Sequence, residues 1–343
     1  MKTTPCTIAI DAMGGDIGPD VTVPAACAMV DEMAHLSLIL VGDEGVLKAA
    51  LAKQGGNRDG RITVHHASQS VTMDDAPSVA LRSKKDSSMR VAINQVKEGT
   101  AQACVSAGNT GALMAVARFV LKTLPGVDRP AICTTLPTLT SHVHVLDLGA
   151  NVDSRSMNLF EFAVMGSVLA SATDNKDYPS IGLLNIGEEE VKGNEVVKEA
   201  GRLLAESDLA YYGFVEGDDI FKGTTDVVVT DGFSGNVMLK SIEGVAKLIA
   251  NTMREEFNRN WLTKLVGLMA LPIMRRFRGR IDPRQYNGAS LVGLQGIVIK
   301  SHGNADLFSY KQAIREAVLE VEKNVPERIS NELERVLVEG RAS

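Results

Sequence analysis

The residues best suited to chemistry in this chain recur at one kind of place, the turn between an apolar run and a helical one. AMGGDIGPD follows TIAID, GNTG follows ACVSA, GANVDS follows HVHVLDL, DGFSGN follows DVVVT, and SHGNAD follows GIVIK. Each turn is rich in Gly, Asn, Asp or Ser. Helix N-termini offer free N–H groups and the positive end of a dipole, which suits anions. Glycine lets a backbone approach a phosphate closely. In an open parallel sheet the carboxyl edge is where ligands bind. Five junctions on one such edge predict a cleft for a phosphate-sized anion.

The turns differ in what they offer. DGFSGN has Gly232, Phe233 and Ser234 where a nucleophile elbow would, but Asn236 replaces its final glycine, which argues against a serine hydrolase. Ser234, Asn236 and the backbone N–H groups of this turn suit a phosphate or an oxyanion instead. In LLNIGEEEVKGNE, Lys192 lies between Gly187 and Gly193. It reads either as a surface ion-pair partner or as a cation reaching an anionic reactant. Glu188, Glu189 and Glu190 read as a solvated run. His142 and His144 alternate on a strand and share one face. Lacking a nearby third ligand in the sequence, they read as a polar strand face rather than a metal site. There is no G-x-x-x-x-G-K-[ST], and Gly14, Gly15 and Gly18 do not make G-x-G-x-x-G.

The elements that must position these residues alternate, short strand then helix. They imply an α/β fold with a mostly parallel sheet covered on both faces. The helix after DGFSGN has Met238, Ile242, Val245, Ile249 and Met253 as its apolar stripe. No linker or repeat divides the chain, so one domain over 1–343 with an excursion near 254–284 is expected. At 45% hydrophobic and 23% charged residues the composition is globular. A formal net charge of -6 leaves no basic excess for nucleic acid. Four scattered cysteines suit free thiols, and MKTTPCTIAID has no apolar signal region, so a cytoplasmic protein is expected.

Taken together, IDAMGGDIGPD, SAGNTGALM, DLGAN, LLNIGEEEVKGNE, TDGFSGNVMLK, and YNGASLVG followed by IVIKSHG resemble the phosphate acyltransferase (PlsX) family, in order and over nearly the whole chain. GGDIGPDV is also similar to the opening loop of isocitrate and isopropylmalate dehydrogenases. The resemblance implies a three-layer α/β/α fold of that dehydrogenase-like type. It implies transfer of an acyl group from acyl–acyl carrier protein to orthophosphate, feeding phospholipid synthesis through a membrane glycerol-3-phosphate acyltransferase. A homodimer with no metal or nucleotide cofactor is implied as well. Lys192 and Asn236 are then the catalytic candidates. Gly14, Gly15, Gly108, Asn109, Thr110, Gly111 and Ser234 would line the phosphate pocket, with Asp16 and Asp231 positioning Lys192 or capping helices. His302 is expected to cap or pack. Many members have Gly where this chain has Asn287, which is expected to adopt a glycine-like backbone. The alternatives are an NAD-dependent dehydrogenase of the same fold and a non-catalytic membrane-surface scaffold.

WLTKLVGLMALPIM holds one charge in fourteen residues and is followed by four Arg in six. It is too short to span a bilayer, which needs about 20 apolar residues. Pro272 is expected to open a second short helix. Trp261, Leu262, Leu265 and Met269 with Arg275, Arg276 and Arg278 would form a helical hairpin touching lipid or carrier protein. From 254 to 284 there are eight basic residues against three acidic ones. Such a patch would suit peripheral association with the inner face of the membrane.

Overall fold

The computed structural model describes residues 5–342. The first half runs β1 (Cys6–Asp11), α1 (Pro19–Glu32), β2 (Leu36–Gly42), α2 (Glu44–Lys53), β3 (Ile62–His66), α3 (Pro77–Arg82), α4 (Ser88–Lys97), β4 (Ala103–Ser106), α5 (Thr110–Leu121), β5 (Ala131–Pro137), β6 (His142–Leu146) and α6 (Ser156–Asp174). It continues through β7 (Ile181–Leu184), α7 (Glu195–Ala205), β8 (Tyr211–Val215), α8 (Asp219–Lys222), β9 (Val227–Val229), α9 (Gly232–Asn258), α10 (Trp261–Ile281), β10 (Ala289–Val292), β11 (Ile297–Lys300), α11 (Leu307–Lys323) and α12 (Val325–Ala342). Helix starts follow local chemistry. Asp43, Ser87, Asn109, Asn194, Asp231, Asn260 and Asp306 each accept a first-turn N–H at the head of their helix. Each such cap contributes about 1 kcal/mol.

Among the described residues eleven strands form one sheet, ordered β3-β2-β1-β4-β11-β10-β5-β6-β9-β7-β8. Strands such as ACVS and IVIK are buried throughout because helices cover both faces. Alternation sends Ala9, Cys104 and Val298 toward α4 and α5, and Ile8, Val105 and Ile299 toward α1 and α11. In the other half α6 and α12 pack over β7 and β9, with Phe162, Leu183, Ile329 and Leu333 inside. This is the expected three-layer α/β/α arrangement.

Three neighbouring pairs, β11–β10, β10–β5 and β5–β6, are antiparallel; the rest are parallel. The sheet therefore reverses direction an odd number of times at its centre. The carboxyl ends of β1, β4 and β11 leave one edge, and those of β6, β9 and β7 leave the other. The expectation of five junctions on a single edge is thus corrected. Apolar runs and turn chemistry do not encode strand direction, and the reversal rests on β10 and β5.

Two further expectations change at the hairpin. It is longer than 254–284, comprising all of α9 and α10. Pro272 does not open a second helix but lies inside α10. Its missing N–H leaves the Leu268 carbonyl without an intrahelical donor; Leu268 is exposed, so water can serve that group. The stripe Val245, Ile249 of α9 is exposed rather than core. No described helix is long and apolar enough to cross a membrane.

Phe162 is fully buried between α6 and the sheet, whereas Tyr178 is 84% exposed. Phe162→Ala is expected to cost about 3–5 kcal/mol in urea unfolding, and Tyr178→Ala to stay within about 0.5 kcal/mol.

Candidate active site

The site residues fall into two groups, one on each sheet edge. At the first edge the ends of β1, β4 and β11 meet. Asp11 is wholly buried; its Oδ2 accepts the Ser106 hydroxyl at 2.6 Å, and among the described residues its Oδ1 has no hydrogen-bond partner. Burial pushes this carboxyl up, against the Ser106 hydrogen bond and the nearby Lys300. Gly14 packs so tightly that a Cβ would lie 2.5 Å from Asp11 Oδ2 and 3.0 Å from Gly108 N. Gly15, at φ +87°, would bring a Cβ within 2.9 Å of Gly303 O. Only glycine fits both positions. Asp16 N donates to Gly303 O at 2.8 Å, and the Asp16 carboxylate lies beside Gly303.

Asn109 is spent structurally. Its Oδ1 caps α5 at Ala112 N (3.0 Å), and its Nδ2 holds the carbonyls of Met73 and Asp75. The first-turn N–H groups of Thr110 and Gly111 have no acceptor within α5 and remain available for an anion. Lys300, which the sequence reading passed over, is buried at the end of β11, with Nζ on the carbonyls of Ala107 and Ser301. Burial lowers its pKa to about 8, with Asp11 and Asp16 opposing and Lys240 adding to the fall. A lysine ending an apolar strand was the available signal. His302 is half-exposed; burial lowers its pKa, Glu243 opposes, and Lys300 and Lys240 reinforce the fall. Glu243 Oε1 lies 3.9 Å from His302 Nε2, so α9 reaches this edge.

Asn287 does not take a glycine-like backbone: its φ is -72° and ψ 130°. Its side chain bonds Ser301 Oγ (2.9 Å) and Ser309 O (2.8 Å), and accepts from His302 N (2.9 Å). Asparagine here ties the hairpin's return to the loop after β11.

At the second edge Asp147 organises the loop after β6. It accepts from Ile132 N (2.9 Å), Ala150 N (3.1 Å), Asn151 N (2.7 Å) and Asn151 Nδ2 (3.0 Å), which offsets the burial that pushes its carboxyl up. The head of α9 packs onto that loop; a Cβ at Gly235 would lie 2.0 Å from Asp147 O. Asp231 caps α9, and it takes both the N–H (2.9 Å) and the hydroxyl (2.7 Å) of Ser234. Ser234 is therefore a capping partner rather than a free donor. Asn236 is exposed and lies against Gly149. Lys192 is exposed on the loop after β7, whose strand neighbours β9, and has no ion-pair partner among the described residues. Among the described residues Lys192 and Asn236 share one edge, while Gly14, Gly15, Asp16 and Gly108–Gly111 share the other.

Trp261, Leu262, Leu265 and Met269 are all at least half exposed on α10, and Arg275 and Arg276 are exposed too. The side chain of Arg278 lies outside the described residues. His142 and His144, read as a polar strand face, both lie 3.0 Å from the carboxylate of Asp174, thirty positions beyond His144.

Lys300 generates a pH signature. Its folded pKa of about 8 lies below the unfolded value of about 10.4. Between them the unfolded state binds more protons, so stability rises with pH in that window. Below it, the full cost of burying the charge is present. Lys300→Met removes the effect, so wild type should gain on the variant as pH rises from about 8 to 10, by at most about 1.4 kcal/mol per pH unit. Urea titrations of both proteins check this; a pH-independent difference would make Lys300 an ordinary ammonium.

Comparison with known proteins places this geometry. A family model described as "Fatty acid synthesis protein" matches residues 6–328. A phosphate acyltransferase of Nitrosococcus oceani is 61% identical over 335 residues, covering 98% of either chain. Among solved structures, the EutD phosphotransacetylase from Staphylococcus aureus superposes with a TM-score of 0.61 at 16% identity, over 93% of this chain and 96% of that one. A 4-hydroxythreonine-4-phosphate dehydrogenase from Klebsiella pneumoniae gives 0.53 at 16% identity, over 94% and 100%. The solved structures share the fold with this chain. With such identity along almost its whole length, this chain belongs to the phosphate acyltransferase family, enzymes of acyl transfer to phosphate.

Proposed function

We propose that the acyl donor is a fatty acyl thioester of acyl carrier protein, that orthophosphate attacks it directly, and that the acyl phosphate formed enters phospholipid synthesis through a membrane glycerol-3-phosphate acyltransferase. The observation that carries this is an apolar groove of about 1050 Å³ between α9 and α10, lined by Ile242, Val245, Ile249, Leu268, Leu271 and Met274 among others. Its inner end, at Ser241 and Ile242, adjoins Lys240 and Glu243, the α9 residues that face His302 and Lys300. A hydrocarbon chain in the groove would deliver its carbonyl toward the glycine loops of the first edge.

A thiol of pKa about 8.5 leaves readily as thiolate, so no covalent enzyme intermediate is needed. The first-edge loops with the Thr110 and Gly111 N–H groups supply an anion cradle. Lys192, without an ion-pair partner among the described residues, would orient phosphate or offset developing charge, and Asn236 would donate to the reacting group. Because these two leave the opposite edge, they act across the sheet face that α9 traverses. Arg254 and Lys264 at the groove, with Arg259, Arg275 and Arg276 nearby along the helices, offer an acidic carrier protein a basic landing surface.

The outward side of α10 is apolar too. Leu268, Leu271 and Met274 line the groove, whereas Trp261, Leu262, Leu265 and Met269 do not. A patch of this kind marks an interaction surface. With arginines at its end it suits an anionic membrane, on which the enzyme would sit peripherally as a homodimer.

Hydroxylamine trapping of acyl phosphate tests the reaction. Lys192→Ala and Asn236→Ala should each lower kcat/KM by about 100-fold or more in folded protein; near-normal rates would remove both from the mechanism. Leu265→Glu with Met269→Glu should abolish flotation with anionic vesicles while hydroxamate formation in solution persists. A loss of dimer instead of flotation would assign the outward face to the second subunit.

A further inference from the structure

A pocket of about 380 Å³ lies away from both groups of site residues, walled by β5, β6, the end of α6, α11 and the Tyr286–Gly288 turn. His142 and His144 are two residues apart on β6, so both imidazoles leave the same face. Asp174, the last residue of α6, meets both: Oδ1 is 3.0 Å from His142 Nε2 and Oδ2 is 3.0 Å from His144 Nε2. One ligand atom from each of the three lies within 4.8 Å of the others.

The second nitrogen of each ring is also engaged. Thr135 Oγ1 is 3.3 Å from His144 Nδ1, and Ser141 Oγ is 3.3 Å from His142 Nδ1. Nε2 of each ring faces the Asp174 carboxylate, where an ion would displace the shared proton, and a hydroxyl holds each ring through Nδ1. That is the outer-shell arrangement around metal-ligating histidines. The surroundings favour a cation. Glu316 lines the same pocket, and Glu320 Oε1 is buried without a hydrogen-bond partner. The basic groups close by are engaged elsewhere: Lys176 with Asp226, and Arg315 with Glu32 and Gln312.

We propose that His142, His144 and Asp174 bind a divalent transition ion of the zinc class, at the root of the α9–α10 hairpin. Two imidazoles and one carboxylate select such an ion over magnesium or calcium, which take oxygen donors. Each Nε2 lies 3.0 Å from a carboxylate oxygen and the three ligand atoms fall within 4.8 Å of one another, so small side-chain shifts would bring all three to the about 2.0–2.2 Å that a shared ion requires. The remaining coordination position opens into the pocket, where water or Glu316 completes it. The ion takes no part in acyl transfer. It joins β6 to α6 beside the turn whose Asn287 holds Ser301 and His302, and so braces the base of the hairpin.

Chelator-treated full-length protein titrated with Co²⁺ provides the test, since bound cobalt gives visible d–d absorption. One ion per chain should bind, Zn²⁺ should displace it, and Zn²⁺ should raise Tm. His142→Asn, whose side chain is 30% exposed and tolerates change, should weaken binding by about 100-fold. Thr135→Val should weaken it about tenfold through loss of the ring's support. Lys192→Ala should bind as wild type does. Absence of a stoichiometric cobalt band, unchanged affinity in His142→Asn, or equal binding of Mg²⁺ would each overturn the proposal; the first would leave an ordinary histidine–aspartate cluster.

Discussion

The reversal of strand direction at β10 and β5 is the constraint on which the rest of this structure depends. A wholly parallel sheet of the same strands would gather every polar turn on one edge. Here β11–β10, β10–β5 and β5–β6 run antiparallel, and the carboxyl ends divide between two edges. One helix connects the two edges. α9 is that element: capped by Asp231 at the second edge, it reaches His302 with Glu243 at the first. At its start the helix presses onto the Asp147 carbonyl, which only a glycine at position 235 allows.

The two edges are built on different electrostatic principles. At the second, Asp147 is buried but saturated by three backbone N–H groups and the Asn151 amide, a rigid arrangement that shapes a loop. At the first, Asp11 keeps one oxygen unpartnered, and Lys300 is held in a site that burial makes unfavourable for its charge. Buried groups left with poor partners are costly, and they concentrate where function requires them. An arriving phosphate would supply the compensation that the protein alone withholds from Lys300. The glycine loops above it pack closely, since a Cβ at Gly14 or Gly15 would collide with Asp11, Ala107 or Gly303.

Much of this was legible in the sequence because it is local. Strand-to-helix alternation, the capping Asp, Asn and Ser residues, and the glycine turns all announce themselves within a few positions. The α/β/α layers and the family follow from them. What stayed hidden is relational. Lys300 reads as an unremarkable end to IVIK until burial is known, and Asp174 stands thirty positions from His144, so no spacing rule connects them. Asn287 was expected to imitate glycine through its backbone; it works through its side chain, which bonds Ser301 and Ser309. Pro272 was expected to start a helix, an inference sound for a helix buried on all sides. An exposed helix can hydrate the carbonyl that proline leaves unpaired.

That exposure is itself the strongest argument about the hairpin. Apolar surface left in water forgoes roughly 25 cal/mol per Å², and α10 leaves Trp261, Leu265, Leu268, Met269 and Ile273 each half exposed or more. A helix serving only to cover the core would turn one face inward. This one has apolar residues on both the groove side and the outward side, while Gly267 lets Phe257 of α9 lie close against it. On the proposed function, the two uncovered faces would take two occupants of different kinds. The inner one is a groove open along its length, shaped for a flexible chain. The outer one runs toward Arg275 and Arg276 and would suit a broad anionic surface. A fatty acyl group entering between the helices and a lipid surface beneath them would satisfy both faces at once. Substrate binding and membrane contact would then share a single hairpin.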